Sequence, residues 1–489
     1  VRQGTIAITA IFEAEATGQS AIPTNCPTFP DLPGDDFTIP EIDDLSGALV
    51  TAASVNYLPP QTKSWTVHTS EATQHMLADP FWTTRQDSFA SKDAILLRCG
   101  VGFIKRSTNG GETWSNITPS TNPPNDAGDS PAPTNTGITY IQGEASYINQ
   151  SEFVFIARWQ NASNEWRSWL VYTANDGTDW TWASLGGGGG NATVSGYTAK
   201  ASKINPNFPV MLNMGNNRLV VGFLSNADDS VFILIDTYDC TILDIGGGSI
   251  VTSFFAMCKL TSTRFAVVDA DQDANYIYTT VYEIESDTLV AKADVQIYTT
   301  MTAYPTAASM ARLSDTSWIM AFNVDSSSAD NGTAIAASYN GTDTITPGEP
   351  KIFNEGTTPY LVLLEGSTGT HCYYQDDSLT DIRAVMLTTS GTVITVNSSI
   401  QISSSSVKYI GAAIMSGDKA VVAFADSADS DNLWARAVTL GTSSVTMGLS
   451  KELKNAAITA VYVTPSGVDS GYVAYRHGTN TLSYIDFSV

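Results

Sequence analysis

The chain has 489 residues, of which 43% are hydrophobic and only 15% are charged, and its formal net charge is −25. Charge of this sign argues against nucleic acid and anionic membrane surfaces as partners. The five cysteines are scattered and form no C-x-x-C pair, so the sequence predicts mostly free, buried thiols and neither a disulfide framework nor a zinc site. The length fits several average domains or one large all-β domain.

The N-terminal residues 1–60 are predicted to form a separate docking arm. Residues 5–12 alternate in the manner of one isolated strand, and residues 21–60 are rich in proline and acidic side chains. Such an arm is expected to dock on the body of its own subunit, on another copy, or on an assembly partner. The chain begins Val1-Arg2 without an apolar leader, so we expect either a signal peptide already removed or only a missing initiator Met, and no membrane insertion.

Two segments farther along the chain, 107–114 and 173–180, share a spaced motif. Each has a hydroxyl residue, then Asn, Gly and a final Trp at identical offsets. This pattern suits a tight turn between antiparallel strands, because the Asn accepts backbone N–H bonds and the Gly takes a positive φ. Two ordinary Asn-Gly hairpins are the alternative. The motif resembles the Asp-box, or sialidase-type, repeat, which links the two outer strands of a β-propeller blade and has a structural role. The resemblance implies a fold and little about activity.

A longer repeat, with a period of about 50 residues, follows residue 60. Each unit contains an apolar strand, a second strand that leads into an acidic loop, a third strand, a hairpin and a fourth strand. The units lie near 80–118, 138–185, 205–248, 251–299, 302–354, 357–403, 406–454 and 456–489. The last has three strands, and a strand near 64–69 is expected to complete it. The predicted fold is all-β: a β-propeller of seven or eight four-stranded blades over residues 61–489, with the extended arm before it.

The acidic loops include one candidate calcium site. Asp269, Asp271, Asp273 and Asn275 offer hard oxygen ligands at alternate positions. The glycine and glutamate that an EF-hand requires are missing, and Thr280 stands at the twelfth position. A solvated acidic turn without a metal is the alternative interpretation.

Three units carry basic and aromatic residues where the others carry acids, and they become neighbours if the ring closes. Arginine forks hold carboxylates and aromatic faces stack on sugar rings, so this arginine sector is a candidate site for an acidic or ordinary glycan. Alternatively, the arginines pair with neighbouring acids and the aromatics pack between blades. The residues of the sector are Arg98, Arg158, Trp159, Tyr475, Arg476 and His477.

The sequence leaves two functions open. It has no Arg-Ile-Pro motif, which the sialidase family requires, and its four histidines have no metal-ligand spacing. We therefore favour a non-enzymatic structural or adhesion protein, located outside a cell or on a virion surface as a fibre, appendage or cell-surface component. It would present the propeller to a glycan or a surface receptor. The alternative, which rests on the Asp-box resemblance, is a sialidase-like glycoside hydrolase.

Overall fold

In a computed structural model of the protein, the described residues begin at 64 and are separated by gaps. The predicted strand at 5–12 and the whole arm lie outside them. The described ranges are 64–68, 88–92, 95–100, 103–108, 113, 115–117, 122, 139–140, 146–147, 153–160, 166–173, 181–187, 207–224, 229–236, 241–251, 255–271, 276–299, 305, 307–326, 329–377, 381–403, 407–416, 419–441, 445–448, 450–465, 470–477 and 481–488.

The described strands form eight antiparallel sheets, which we number in chain order. Sheet 1 contains β2 (Ser88–Lys92), β3 (Ile95–Gly100), β4 (Phe103–Ser107) and β5 (Ser115–Ile117). Sheet 2 contains β6 (Thr139–Tyr140), β7 (Ser146–Tyr147), β8 (Phe153–Gln160), β9 (Trp166–Thr173) and β10 (Thr181–Gly187). Sheet 3 contains β11 (Asn207–Gly215), β12 (Arg218–Leu224), β13 (Asp229–Asp236) and β14 (Thr241–Val251). Sheet 4 contains β15 (Phe255–Lys259), β16 (Arg264–Asp271), β17 (Tyr276–Glu285) and β18 (Thr288–Tyr298).

The remaining sheets follow the same pattern. Sheet 5 contains β19 (Ala308–Ser314), β20 (Ser317–Ser326), β21 (Ala329–Tyr339), β22 (Ile345–Pro347) and β23 (Lys351–Thr357). Sheet 6 contains β24 (Leu361–Glu365), β25 (Thr370–Asp376), β26 (Asp381–Ser390), β27 (Val393–Val396) and β28 (Ile400–Ser403). Sheet 7 contains β29 (Val407–Ser416), β30 (Lys419–Asp426), a 3-10 helix (Ser427–Asp429), β31 (Asn432–Leu440), β32 (Val445–Met447) and β33 (Lys451–Lys454). Sheet 8 contains β34 (Ile458–Pro465), β35 (Ser470–His477), β36 (Thr481–Ser488) and the early strand β1 (Ser64–His68).

The strands of each sheet are neighbours in space in nearly the order in which they occur in the chain. The first strand of one sheet contacts the first strand of the next from sheet 3 to sheet 8, and β2 of sheet 1 contacts β34 of sheet 8. Successive antiparallel sheets that meet through their innermost strands form a β-propeller. The predicted fold class is therefore confirmed, while the count of seven or eight blades stays a prediction.

The sheet boundaries lie close to the predicted units, and the last sheet is completed as expected. β1 pairs antiparallel with the C-terminal strand β36, from Ser64 opposite Ser488 to His68 opposite Tyr484. This pairing joins the two ends of the described chain in one sheet. Backbone hydrogen bonds therefore hold the N-terminal side of the propeller to its C-terminal side.

Period-two alternation gives sheets 4 to 7 two apolar faces, as sheet 7 illustrates. Its residues Val421, Ala423 and Ala425 belong to a buried cluster with sheet 8. The intervening Val422 and Phe424 belong to another cluster with sheet 6. Because successive side chains of a strand point to opposite faces, one apolar run supplies both interfaces.

The outer turn of sheet 5 uses Asn-Gly turn chemistry, whereas most residues of the two motif segments lie outside the described residues. The two motif segments lie between β4 and β5 and between β9 and β10, the outer strands of sheets 1 and 2. In the corresponding turn of sheet 5, Oδ1 of Asn340 accepts bonds from the backbone N–H groups of Thr342, Asp343 and Thr344 at 2.9–3.1 Å. Gly341 takes φ +89°, which a residue with a side chain rarely adopts.

Two further findings concern sequence expectations. Cys258 and Cys372 are buried free thiols, as predicted for most cysteines. Burial raises the pKa of the Cys258 thiol to about 12, so this group stays protonated at neutral pH.

Within the described ranges, no helix is both long and apolar enough to cross a membrane.

Sheet-to-sheet burial predicts the effect of removing Trp318, which is fully buried between sheets 4 and 5. Its indole Nε1–H donates to Thr279 Oγ1 at 3.2 Å across that interface. We expect Trp318→Ala to lower the free energy of unfolding by about 3–5 kcal/mol, because it leaves a cavity. The urea midpoint measures this loss. The control Val393→Ala, on a side chain 62% exposed, should change stability by less than about 0.5 kcal/mol. Equal effects of the two substitutions would contradict the packing described here.

Candidate functional site

An open cleft of about 330 Å³ lies between sheets 6 and 7. The outer strand β28 of sheet 6 forms one wall. The second and third strands of sheet 7, β30 and β31, form the other. We name it the 6–7 cleft, and it is lined by Gln401, Ile402, Ser403, Phe424, Asp426, Trp434, Arg436 and Ser450.

The 6–7 cleft contains a half-buried guanidinium group, that of Arg436. One of its terminal nitrogens, Nη1, donates to the backbone carbonyl of Ile402 and lies 3.7 Å from the sulfur of Met447. Its Nε–H is buried without a hydrogen-bond partner. Among the described residues no carboxylate forms an ion pair with Arg436. Burial lowers the pKa of this guanidinium, which stays charged because an arginine starts so far above neutral pH.

Strand alternation explains why these side chains meet. Arg436 is paired across the ladder with Val422, and Trp434 is paired with Phe424. Cross-strand partners share a face, and Val422 and Phe424 belong to the cluster between sheets 6 and 7. Arg436 and Trp434 therefore stand on the face that looks toward sheet 6.

The aromatic side of the cleft has a fixed orientation. Trp434 is partly buried, and its Nε1–H donates to Asp429 Oδ2 at 3.2 Å. Asp429 ends the 3-10 helix, whose N-cap is Asp426 with Oδ1 accepting from the backbone N–H of Ala428 at 2.9 Å. The acidic loop after β30 thus holds the indole in place.

The 6–7 cleft combines three recognition elements. An aromatic surface offers an apolar face, a guanidinium offers several hydrogen-bond donors in a plane, and Gln401, Ser403 and Asp426 offer further donors and acceptors. A pocket of a few hundred cubic ångströms with a few convergent polar groups suits a small organic ligand. Rings that carry both hydroxyl groups and an apolar C–H face match this combination.

Asp269, the first of the candidate calcium residues, lies at the interface of sheets 3 and 4. Asp269 is only 4% exposed, and its Oδ2 accepts from Ser230 of sheet 3 at 3.2 Å, while its Oδ1 has no hydrogen-bond partner. Asp271 is half-buried at the end of β16, and Asp273 and Asn275 lie outside the described residues. In the described part of the chain, no three His, Cys, Asp or Glu side chains form a group that could hold a metal ion. The calcium site stays a prediction.

The arginine sector lies on the second strand of each of three neighbouring sheets. Arg98 lies in β3, Arg158 and Trp159 lie near the end of β8, and Arg476 lies in β35. The structure describes the backbone of these four residues and not their side chains.

The other two members of the arginine sector are described fully. Tyr475 is 1% exposed and belongs to the cluster between sheets 7 and 8. Its ring lies 5.7 Å from that of His477, whose pKa is lowered by burial and secondarily by Lys454. Tyr475 therefore packs in the core, where its ring is not open to a sugar. The sector as a glycan site stays a prediction.

The sequence analysis did not select Trp434 and Arg436, although it did identify their strand and the acidic loop before it. The missed signal is an aromatic and a basic residue two positions apart on a strand with apolar alternation. Finding it requires knowing which face each residue occupies, and that face follows from the register with β30.

The burial of Asp269 predicts a pH effect on stability. Burial first, then the charges of Asp271 and Asp294, raise its pKa from 3.8 to about 6, while the Ser230 hydroxyl opposes the shift. The folded protein holds this proton more tightly than the unfolded chain does. The resulting stabilisation is full below pH 3.8 and is lost as pH rises through about 6.

We expect Asp269→Asn to remove the loss of stability that the native protein shows as pH rises through about 6. The variant should be more stable than the native protein at pH 7, by up to about 3 kcal/mol, with a flatter stability profile between pH 4 and 6. Urea midpoints from pH 4 to 7, in the presence of EDTA, measure this. Asp315→Asn, at a side chain 69% exposed, should follow the native profile. A native-like profile for Asp269→Asn would contradict the prediction.

Comparisons with known proteins concern the fold alone. No protein-family model matches the chain. No curated protein matches it either. Among solved structures it is similar to the C-terminal WD40 domain of Sif2, with a TM-score of 0.47 and 11% identity over 88% of this chain and 99% of that domain. It is also similar to BamB from Moraxella catarrhalis, with a TM-score of 0.44 and 10% identity over 87% of this chain and all of that protein. At these values, the propeller assignment depends on the strand order and sheet contacts of the chain itself.

Proposed function

We propose that this protein is a non-enzymatic component of an exterior surface, of a virion or a cell, that presents its propeller for carbohydrate binding through the 6–7 cleft. One observation carries the proposal. The half-buried guanidinium of Arg436 has no carboxylate partner among the described residues and lies in an open cleft beside Trp434.

The cost of this arrangement supports a ligand. A charged group removed from water without a counter-charge destabilises the fold. A bound sugar would recover part of that cost, because its oxygen atoms accept hydrogen bonds from the guanidinium and its C–H face covers the indole. Asp426 and Gln401 on the rim could accept or donate the hydrogen bonds of further hydroxyl groups.

An exterior location agrees with the charge of the chain. A net charge of −25 keeps a protein soluble and apart from other acidic surfaces. The same charge makes nucleic acid an unsuitable partner. A glycan or a surface receptor remains the proposed partner of the propeller.

The alternative function is a sialidase-like glycoside hydrolase, which the Asp-box resemblance supports. Hydrolysis by a pair of carboxylates requires them to flank the ligand at about 5–10 Å from each other. Of the described residues that line the cleft, Asp426 is the one carboxylate, and its Oδ1 caps the 3-10 helix. We therefore propose binding without turnover at this site. Release of 4-methylumbelliferone from fluorogenic glycosides by the full-length protein would overturn this part of the proposal.

Substitutions in the cleft test the binding function. We expect Arg436→Met to weaken glycan binding by roughly 10- to 100-fold, because it removes charge-assisted hydrogen bonds worth about 1.5–3 kcal/mol. Trp434→Ala should weaken binding by a similar factor through loss of the stacking face. A glycan array identifies the sugar on the native protein, and calorimetry with that sugar measures the variants.

Arg312→Met is the matched control for Arg436→Met. Arg312 lies on sheet 5, away from the 6–7 cleft, and pairs with Asp315. This variant should bind like the native protein, and all three variants should retain the native circular dichroism spectrum. Unchanged affinity in Arg436→Met and Trp434→Ala, or absence of any glycan ligand, would contradict the proposal.

The proposal also gives residues 1–60 an assembly role, as a segment that docks on another copy or on an assembly partner. If copies of the chain associate through this arm, the full-length protein should have a higher mass in solution than residues 61–489 at equal concentration. Size-exclusion chromatography with light scattering measures both masses. If both proteins have the same number of chains per particle, the arm does not mediate self-association, and docking on a different partner is its remaining role.

A further inference from the structure

One bulky residue beside the 6–7 cleft has a strained backbone. Six of the seven described non-glycine residues with positive φ form two-residue turns, where such values are normal. These turns are 216–217, 286–287 and 430–431, the last with Ser430 as the left-handed C-cap of the 3-10 helix. The seventh residue is Tyr409 in β29 of sheet 7, with φ of 52°. Strain of this kind in a bulky residue persists where the surrounding structure enforces it, and it clusters at ligand sites.

The strain at Tyr409 has a local cause. The register of β29 against β30 shifts between Lys408 and Ile410, so Tyr409 is the extra residue of a β-bulge. A bulge re-aims the side chain that it contains. The ring of Tyr409 lies 6.1 Å from that of Tyr360, at an angle of 51°. Tyr360 precedes the first strand of sheet 6, and 41% of its surface is exposed. We name these two residues the tyrosine pair.

The tyrosine pair adjoins the 6–7 cleft. Val407 and Ile410, which flank the bulge, are paired with Asp426 and Phe424, both of which line the cleft. Adjacent strands are about 5 Å apart. The backbone of Tyr409 is therefore one strand spacing from the cleft wall, on its inner side.

An ion pair ties the same two segments together. Nζ of Lys408 lies 3.4 Å from Oδ1 of Asp431, which joins the bulge to the loop after the 3-10 helix. That loop also positions Trp434 through Asp429. The acidic loop is thus linked to Trp434, which packs against the cluster between sheets 6 and 7, and to the bulge of Tyr409. Tyr409 packs against the cluster between sheets 7 and 8 and also contacts Tyr360 of sheet 6.

We propose that the binding surface continues from the 6–7 cleft onto the tyrosine pair, so that the ligand is a linear saccharide chain of two or more sugar units instead of a single terminal sugar. This inference rests on the proposed function. In it, Arg436 and Trp434 hold one unit within the cleft. A neighbouring unit lies against Tyr360, whose ring is the exposed member of the pair.

The test compares chain lengths on the full-length protein. The probes are linear oligosaccharides of one to six units, in four series built from glucose, mannose, galactose and N-acetylglucosamine, with affinities measured by calorimetry. In the series that binds, the native protein should gain roughly 3- to 10-fold in affinity on going from one unit to three. Tyr360→Ala should abolish this gain and change the affinity for the single sugar by less than about 2-fold.

Two further variants complete the design. Tyr409→Asn removes the second ring while keeping a residue that tolerates a positive φ, and it should also lose the chain-length gain. Tyr276→Ala is the control, because Tyr276 forms a comparable pair with Tyr278 on sheet 4, with rings 6.4 Å apart. It should keep the gain. A series that binds with no chain-length gain, or with a gain that survives both tyrosine-pair substitutions, overturns this inference and leaves the proposed function intact. Absence of binding in all four series overturns this inference, and absence of any ligand on the glycan array overturns the proposed function as well.

Discussion

Sheets 4 to 7 of this propeller are apolar on both faces, and that surface leaves water only where the next sheet covers it. The pairing of β1 with β36 therefore matters beyond the strands that form it. It completes the last sheet, against which Val421, Ala423 and Ala425 of sheet 7 are buried. A sheet that came apart would expose one face of each neighbour as well as its own. Stability is consequently a property of the ring, and no single sheet carries it.

Some polar groups at these interfaces find partners, and others do not. Trp318 donates to Thr279 across one interface, and Thr279 in turn donates to the carbonyl of Val267. Asp269 lacks a partner for one oxygen, and its raised pKa expresses the cost. Arg436 cannot reduce the free-energy cost of removing its charge from water by losing a proton at physiological pH. A buried cation of this kind has no structural advantage over an apolar residue, which is why its presence argues for a ligand.

The sequence predicted the fold closely because the fold depends on local patterns. Alternating apolar strands and recurring acidic loops marked the sheets, and the incomplete final unit marked the strand near 64–69. The binding cleft was missed for the opposite reason. The acidic loop of this unit was predicted as one of a series, but in the structure its Asp426 caps a short helix and its Asp429 holds Trp434. The opposite wall of the cleft comes from β28, in a different repeat, and no local pattern shows which residues meet across two repeats.

The strand register identifies a distinctive residue of the cleft that the sequence analysis did not select. In sheets 4 to 7, the fifth residue from the loop end of the second strand is paired with a residue of the third strand. This third-strand residue faces the preceding sheet. That residue is Thr280 in sheet 4, Thr333 in sheet 5 and Val385 in sheet 6, but Arg436 in sheet 7. A short β-branched side chain leaves room for two sheets to pack closely, whereas Arg436 places a guanidinium in the cleft between sheets 6 and 7. The residue that differs between the repeats therefore supplies the charge of the cleft, and it becomes visible once the repeats are aligned by their strand pairing.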